Sequence, residues 1–492
     1  MRKRIIILTL LFCFVWGGGV CAQEMGLQEA IETARSQSVQ AKQARHTFIS
    51  AYWAYRSYKA SLLPSLSVYG NLMNFNRSKT LLQSYEDGSL HYVGTNNLQN
   101  SLGIQLSQNI TLTGGRISLY SDLARVDQFG ANKNLTWYSQ PITISYSQPI
   151  FSYNSFKWSK QIEPKSYEAS KRKYLESMEN VTVSAVSAYY AFLHTRLNYD
   201  ISKENYANTR QMLAVARERM ALGSVSREEC LHLELRMLND SISVNENLVR
   251  LRESQMVLNS LLGLDETTEI IPVLEDNLPS IILDYDFVMD KVMANASFNL
   301  ENEISELNAQ SEVDQAKANR GITMSLNARF GLSQTGKKFG EAYTNPLDQE
   351  VVGITFSIPV FDWGMGKGKV QKAKAAEEVV KAQVRQKEID HRSTIFTAVG
   401  EFNNQRQQCS VSKRAMEIAQ ERYSIVMEKF RNGTATVTEL NTARQENDSS
   451  RQQFITDIRN FWTSYYTLRK YTLYDFIKDE NLEVDEKEMI EN

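Results

Sequence analysis

The chain has 492 residues, 42% of them hydrophobic and 23% charged, with a formal net charge of −2. That composition excludes general disorder and can supply a large core. Near-neutrality without a basic stripe leaves no electrostatic case for a nucleic-acid partner.

The first predicted element is a leader. Met1-Arg2-Lys3-Arg4 precedes an apolar run from Ile5 to Trp16 and then Val20-Cys21-Ala22. This is the layout of a secretory signal peptide over residues 1–22, cleaved after Ala22. Cys21 is an alternative lipid acceptor, although Gly18-Gly19-Val20 matches the small-residue lipobox poorly. Beyond the leader no run of ~18 apolar residues occurs, so an exported chain is either soluble or crosses a membrane as strands. Cys230 and Cys409 then remain, at non-equivalent places, and read as free thiols rather than a disulfide.

A first repeat occupies 23–264. Leu27 to Leu63 is helical in character, and Ser65-Leu66-Ser67-Val68 opens an alternating strand over about 65–76. Leu102, Ile104 and Leu106, then Thr113-Gly114-Gly115, then Ile117 and Leu119 read as an extra hairpin over about 100–127. Whether that hairpin joins the other strands or caps them is open in the sequence. A second strand spans about 140–151, with Ile142, Ile144 and Tyr146 opposing Thr143, Ser145 and Ser147. No proline lies between Pro164 and Pro272, which leaves room for a long helix over about 164–221. A tip at 222–226 and a returning helix to about 262 complete the repeat.

Residues 265–286, with Pro272 and Pro279, read as a linker. The second repeat, 287–474, runs through strands at about 323–334 and 351–361, a long helix at about 366–431, a tip at 432–436 and a returning helix. Its landmarks are displaced from the first by constant amounts. Leu66 to Leu326 gives 326 − 66 = 260, whereas Gly223 to Gly433 gives 433 − 223 = 210. The difference places about 50 extra residues between the two strands of the first repeat, where the extra hairpin lies. Each long helix, at 1.5 Å per residue, would be on the order of 100 Å. The acidic tail 475–492 reads as a disordered, solvated end.

The rods should pack. Ile395, Phe402, Cys409, Met416, Tyr423 and Phe430 recur every seven residues, as do Met178, Ala185, Phe192, Tyr199, Tyr206, Leu213 and Met220. Gln405 and Ser412 interrupt the second seam. The strands alternate apolar and polar residues, and Trp137, Tyr138, Phe151, Tyr153, Trp158, Phe361 and Trp363 bracket them as an aromatic girdle. Apolar-out, polar-in segments with such girdles mark an outer-membrane β-barrel, although a half-buried soluble strand alternates identically.

The duplicated helix–strand–strand–helix halves resemble the TolC-type outer membrane efflux family (outer membrane factors). So do the turn Phe430-Arg431-Asn432-Gly433-Thr434 before Glu439-Leu440, and Pro359-Val360-Phe361-Asp362-Trp363-Gly364. The resemblance implies a mainly α fold with membrane β-structure. Long coiled-coil helical hairpins would form a periplasmic α-barrel, and strands from three chains would form one shared transmembrane β-barrel. Four strands cannot close a barrel alone; three chains give twelve strands, or eighteen if the extra hairpin joins. The implied function is the outer membrane exit duct of a tripartite efflux or type I secretion system in a Gram-negative bacterium, extending into the periplasm. Its implied partners are a periplasmic adaptor (membrane fusion protein) and an inner-membrane RND pump or ABC exporter, with no cofactor. Leu222, Gly223, Ser224, Asn432, Gly433 and Thr434 would be the adaptor-docking tips, and Glu229, Phe430 and Glu439 the periplasmic gate. Ala435 and Thr442 depart from the charged residues some members use there. Glu229 and Glu439 also suit the first turn of a helix on electrostatic grounds alone.

Rival chemistry is weak. Gly364-Met365-Gly366-Lys367-Gly368-Lys369 mimics a phosphate loop but leads into one long helix rather than a second parallel strand. The five histidines are scattered without metal-ligand spacing, no nucleophile–base constellation stands out, and no enzyme activity is expected. The competing function is an exported coiled-coil structural or adhesin-like protein without a pore.

Overall fold

A computed structural model describes residues 23–83, 88–130, 133–275, 277–486 and 489. The expected leader, with Cys13 and Cys21, lies outside the described residues, as does most of the extreme C-terminus. In chain order the elements are β1 (Gln23–Met25), α1 (Leu27–Gln37), α2 (Val39–Ser61), β2 (Ser65–Gln83), β3 (Leu90–Ile110), β4 (Gly115–Gln128), β5 (Asn134–Ile150), α3 (Ser155–Ala221) and α4 (Arg227–Leu262). There follow β6 (Ile270–Pro272), α5 (Tyr285–Asn295), α6 (Phe298–Arg320), β7 (Thr323–Gly336), β8 (Leu347–Ser357), α7 (Met365–Arg431), α8 (Val437–Thr472), β9 (Tyr474–Asp475) and β10 (Glu480–Asn481). Among the described residues no helix is long and apolar enough to cross a membrane.

Helix lengths repeat residue for residue. α1 and α5 have 11 residues each, α2 and α6 have 23, α3 and α7 have 67, and α4 and α8 have 36. The start of α6 is displaced from that of α2 by 298 − 39 = 259, and the start of α7 from that of α3 by 365 − 155 = 210. The 49 residues lost between those two figures lie mainly in the β3–β4 hairpin, with the rest in the longer β2 and β5.

Two compact units divide the chain. One comprises residues 1–49, 171–297 and 389–492; the other comprises 50–170 and 298–388. The first is helical. Tyr189, fully buried on α3, shares its one hydroxyl proton between the carbonyls of Met25 (2.8 Å) and Val273 (2.7 Å) and accepts from the Val273 N–H (3.0 Å). It thereby fixes the parallel pairing of β1 with β6, which gives order to part of the linker. Nearby, the buried Glu179 takes Arg35 at 2.7 Å and Arg469 at 3.1 Å, so one carboxylate ties α1, α3 and α8.

Several expectations need correction. The single helix expected over 27–63 is broken at Ser38, whose backbone is extended (φ −61°, ψ 148°) and whose buried hydroxyl accepts from the Ala41 N–H at 3.0 Å. The duplicate break falls at Ala296-Ser297, where Glu176 accepts from the Ser297 N–H and Arg172 donates to the carbonyls of Ala294 and Ala296. The freed backbone groups are taken up by the Ser38 hydroxyl at the first break and by Glu176 and Arg172 at the second, so each helix breaks without glycine or proline. α3 starts nine residues before Pro164 and carries that proline inside it; the loss is one backbone bond in a helix of 67 residues. Nor is the tail wholly solvated. Asp475 is buried, accepts from the Tyr465 hydroxyl at 2.7 Å and from Arg469 at 2.9 Å, and β9 pairs with β10.

The second unit holds one six-stranded antiparallel sheet in the order β2-β3-β4-β5-β7-β8. The extra hairpin is built into it: β3 and β4 pair from Asn97↔Gln128 to Ile110↔Gly115, and each also pairs outward, with β2 and β5. Neighbouring strands follow chain order, so every connection is local or returns through the helices.

Candidate functional site

Two regions stand out, one in each unit. In the sheet, directly opposed residues of antiparallel strands project to the same face. One row reads Leu66↔Leu106, Leu106↔Leu119, Leu119↔Ile144, Ile144↔Phe330. Further rows on that face add Val68↔Ile104 and Leu326↔Ile354. These side chains are open to solvent in the isolated chain, Leu66 at 71% and Ile354 at 60%. The alternate rows are polar: Ser65↔Ser107, Ser107↔Ser118, Ser118↔Ser145, Ser145↔Arg329. The sheet therefore has one largely apolar face, interrupted by Gln148 and Glu350, and one polar face, and β2 and β8 end it without a further paired strand among the described residues.

Aromatic residues sit at both ends of the strands, in a more selective pattern than expected. Trp137 lies opposite Arg125, whose guanidinium is 5.6 Å from the indole ring, and meets Phe339 edge-on at 5.6 Å. Phe151 is exposed at the other end, as are Phe361 and Trp363, whose rings meet at 4.5 Å. Tyr138 is opposite Ala124 and Thr335, and alternation turns it away from the face Trp137 occupies. Tyr153 is half-buried with its hydroxyl on Ser311 at 2.5 Å, and Trp158 is buried in the first turns of α3. Tyr138 and Trp158 are therefore poor girdle residues; one is turned by register, the other consumed by packing.

The second region is the pair of helical turns. α3 ends at Gly223 (φ 75°) with Ser224 N–H donating to the Arg219 carbonyl at 2.9 Å, and α7 ends at Gly433 (φ 81°) with Thr434 N–H on the Lys429 carbonyl at 2.9 Å. Both are Schellman closures, and only glycine takes that left-handed position without strain. Leu222 is 80% exposed. Each following helix opens with a capping box. The Ser226 hydroxyl accepts from Glu229 N–H at 3.1 Å and Glu229 accepts from Ser226 N–H at 2.9 Å; Thr436 and Glu439 repeat this at 3.2 and 2.8 Å. The Glu439 carboxyl is held below its usual range, first by the Thr436 backbone N–H and then by the Thr436 side chain.

Phe430 does not line an opening in this chain. It is buried with Met212, Leu213, Ala216, Cys230, Leu233 and Leu440, where α3, α4, α7 and α8 meet. Arg219 reaches from the end of α3 to donate to the Phe430 carbonyl at 3.4 Å, and its guanidinium fills the space a side chain at Gly433 would need. Cys230 and Cys409 are free and buried. One cluster escaped the sequence reading altogether. Asp240 on α4 accepts from Thr209 (2.6 Å) on α3 and takes both terminal nitrogens of Arg444 (3.3 Å each) on α8, with Asp240 and Arg444 almost fully buried. Nothing in linear sequence joins positions 204 residues apart on different helices. Among the described residues no cluster of His, Cys, Asp and Glu is disposed to hold a metal ion.

Residues 300–472 match the Outer membrane efflux protein family. Outer membrane protein TolC of Escherichia coli (strain K12) is 28% identical over 197 residues. Both matches are to outer membrane efflux proteins, and both take in about a third of the chain. The chain spans 38% of the length of TolC in that alignment, and the alignment takes in 35% of this chain. Solved structures extend the likeness across the fold. The Campylobacter jejuni CmeC outer membrane channel superposes with a TM-score of 0.67 at 15% identity, covering 94% of this chain and 88% of that one. VceC from Vibrio cholerae superposes with 0.62 at 12% identity, covering 93% and 97%. At such identities these superpositions establish a shared fold, mainly helical with a sheet.

Proposed function

We propose that the chain is an outer membrane exit duct that passively carries cargo delivered by an inner-membrane RND pump or ABC exporter through a periplasmic adaptor. The observation that carries this reading is the two-faced sheet. An apolar face open to solvent, with aromatic residues at both ends and unpaired edges at β2 and β8, is unsuited to water and suited to lipid. In hydrocarbon each unpaired backbone group costs several kcal/mol, so the edges must be satisfied by other copies. β7 with 14 residues and β8 with 11 are long enough to span, since a tilted strand needs about 9–11.

Association of copies has independent support in the helices. Leu231, Leu235, Leu238, Ile242, Val249 and Met256 form an exposed heptad stripe along α4. Val411, Ile418 and Ile425 repeat every seven residues on α7 and are exposed too. Heptad stripes without partners in their own chain are seams for helices of another. A homotrimer would close both, with the strands in the outer membrane and the helices as a periplasmic α-barrel. The glycine turns, Leu222 to Ser224 and Asn432 to Thr434, would face the adaptor, and Glu229 and Glu439 would set the charge near the opening.

The test is biochemical. Purified in detergent, the protein should migrate as a heat-modifiable trimer and conduct ions in planar bilayers. A monomer or dimer that stays soluble without detergent and conducts nothing would leave the pore-free coiled-coil reading in its place.

A further inference from the structure

The hairpin β3–β4 has no counterpart in the second repeat, and it is neither a cap nor a surface loop. Its strands pair along their length on both sides, with one bulge in each ladder: seventeen pairs link β2 to β3 and twelve link β4 to β5. A cross-strand contact seals the insertion from the polar face. The Tyr69 hydroxyl on β2 donates to the Asp122 carboxylate on β4, arching over Gly103 on β3, where any side chain would strike the Tyr69 ring and Asp122. Glycine in a strand interior often marks a place where another group approaches closely. Further along the polar face, Arg329 on β7 lies 5.6 Å from the Tyr120 ring on β4.

We infer that the inserted hairpin is part of the membrane wall and sets the width of the outlet, which this chain builds from six strands per copy rather than the four its two repeats share. The inference rests on the proposed three-copy channel. Three copies of four strands would give twelve; three of six give eighteen. Barrel diameter grows roughly in proportion to strand number, so the outlet is about 1.5-fold wider, in the range of about 16–18 strands that leaves an aqueous channel. Alternation agrees on the hairpin itself. Ile104 and Leu119 extend the apolar face, whereas Gln105, Ser118 and Tyr120 extend the polar one. Closure is also compatible: with six alternating strands, β8 and the β2 of the next copy run antiparallel. The cargo class this geometry fits is one of larger cross-section than a twelve-stranded outlet would pass, with contacts that are polar and aromatic.

Single-cysteine variants test the placement, because Cys230 and Cys409 are buried and form a quiet background. Ile104→Cys and Leu119→Cys report the apolar rows of the hairpin, and Gln105→Cys and Ser118→Cys its polar rows. Ile354→Cys and Thr355→Cys report β8, a strand both repeats share. In proteoliposomes, bimane at positions 104, 119 and 354 should be quenched by brominated acyl chains. Positions 105, 118 and 355 should instead react with a membrane-impermeant maleimide. If positions 104, 105, 118 and 119 all react from water while 354 and 355 still alternate, the hairpin lies outside the wall and the inference falls, leaving the channel reading intact. If 354 and 355 fail to alternate as well, the channel reading falls with it. A second variant lacking residues 79–128 should still trimerise, because β2 and β5 are antiparallel and can pair directly. Its polymer-size cutoff, measured from the outer face, should drop by about one third; an unchanged cutoff would overturn the assignment of width to the hairpin.

Discussion

Asp240 and Arg444 show what a buried charge does in a helical seam. Their ion pair joins α4 to α8, and Thr209 brings in α3. Removing Arg444 leaves the buried Asp240 with only Thr209 and the more exposed Arg236 at 3.5 Å, at a cost of up to about 3–5 kcal/mol, whereas replacing both with apolar residues of similar volume is close to neutral. Arg444→Met should therefore lower the thermal midpoint sharply, and Asp240→Leu with Arg444→Met should recover most of the loss. A midpoint that stays put in Arg444→Met would mean that water reaches Asp240. The residues the sequence made legible were those whose chemistry is local: the tip glycines, the seam residues at sevenfold spacing, and the acids of the first helical turns. Arg444, Tyr138 and Trp158 were misread or missed because their roles are set by what lies across from them in space. Phe430 shows the same limit. Its position beside a tip glycine resembles a gate, yet the four helices around it spend the ring on packing.

The two capping boxes govern how the tips behave. Glu439 caps α8 with its charge, and its carboxyl is held below the usual range by the Thr436 N–H. A carboxyl depressed in the folded state contributes stability that is present above its unfolded pKa and is lost as pH falls through the folded value. The second tip should therefore loosen on acidification, seen as faster amide exchange in the first turn of α8. Glu439→Gln keeps a box-forming side chain but removes the charge, so it should abolish that pH dependence while the turn stays protected; Glu439→Ala should loosen it at every pH. If cation preference is the same in Glu439→Gln and wild type, Glu439 is a cap and does not shape the conducting path. Long elements are readable because proline is absent from all but the first turns of α3, and the 210-residue displacement in the sequence matches α3 to α7. The breaks at Ser38 and Ser297 were invisible because serine is ordinary inside a helix, and only its buried surroundings make it a terminator.

At the level of the whole molecule, apolar surface is distributed unequally between the repeats. α4 exposes its heptad stripe, whereas among the described residues its duplicate α8 exposes no large apolar side chain and instead buries Phe454, Ile458, Phe461 and Tyr465. Such asymmetry suits copies that meet head to tail, with α4 of the first repeat and α7 of the second carrying the outward stripes and α8 closing the core. Leu235→Glu with Ile242→Glu should leave the subunit folded, with unchanged helicity, but shift it from the proposed trimer to monomer in detergent by light scattering. Retention of the trimer would move the seam elsewhere.

The sheet contains an even number of strands, and each runs opposite to its neighbours. A gene that gained one strand would leave the first and last pointing the same way, and copies meeting head to tail around a ring would have to switch to parallel pairing at every join. A paired insertion avoids that penalty, because it returns the chain to the side from which it departed and leaves the joining edges unchanged. In the proposed ring the outlet can therefore enlarge only by whole hairpins, and always by the same increment in every subunit at once.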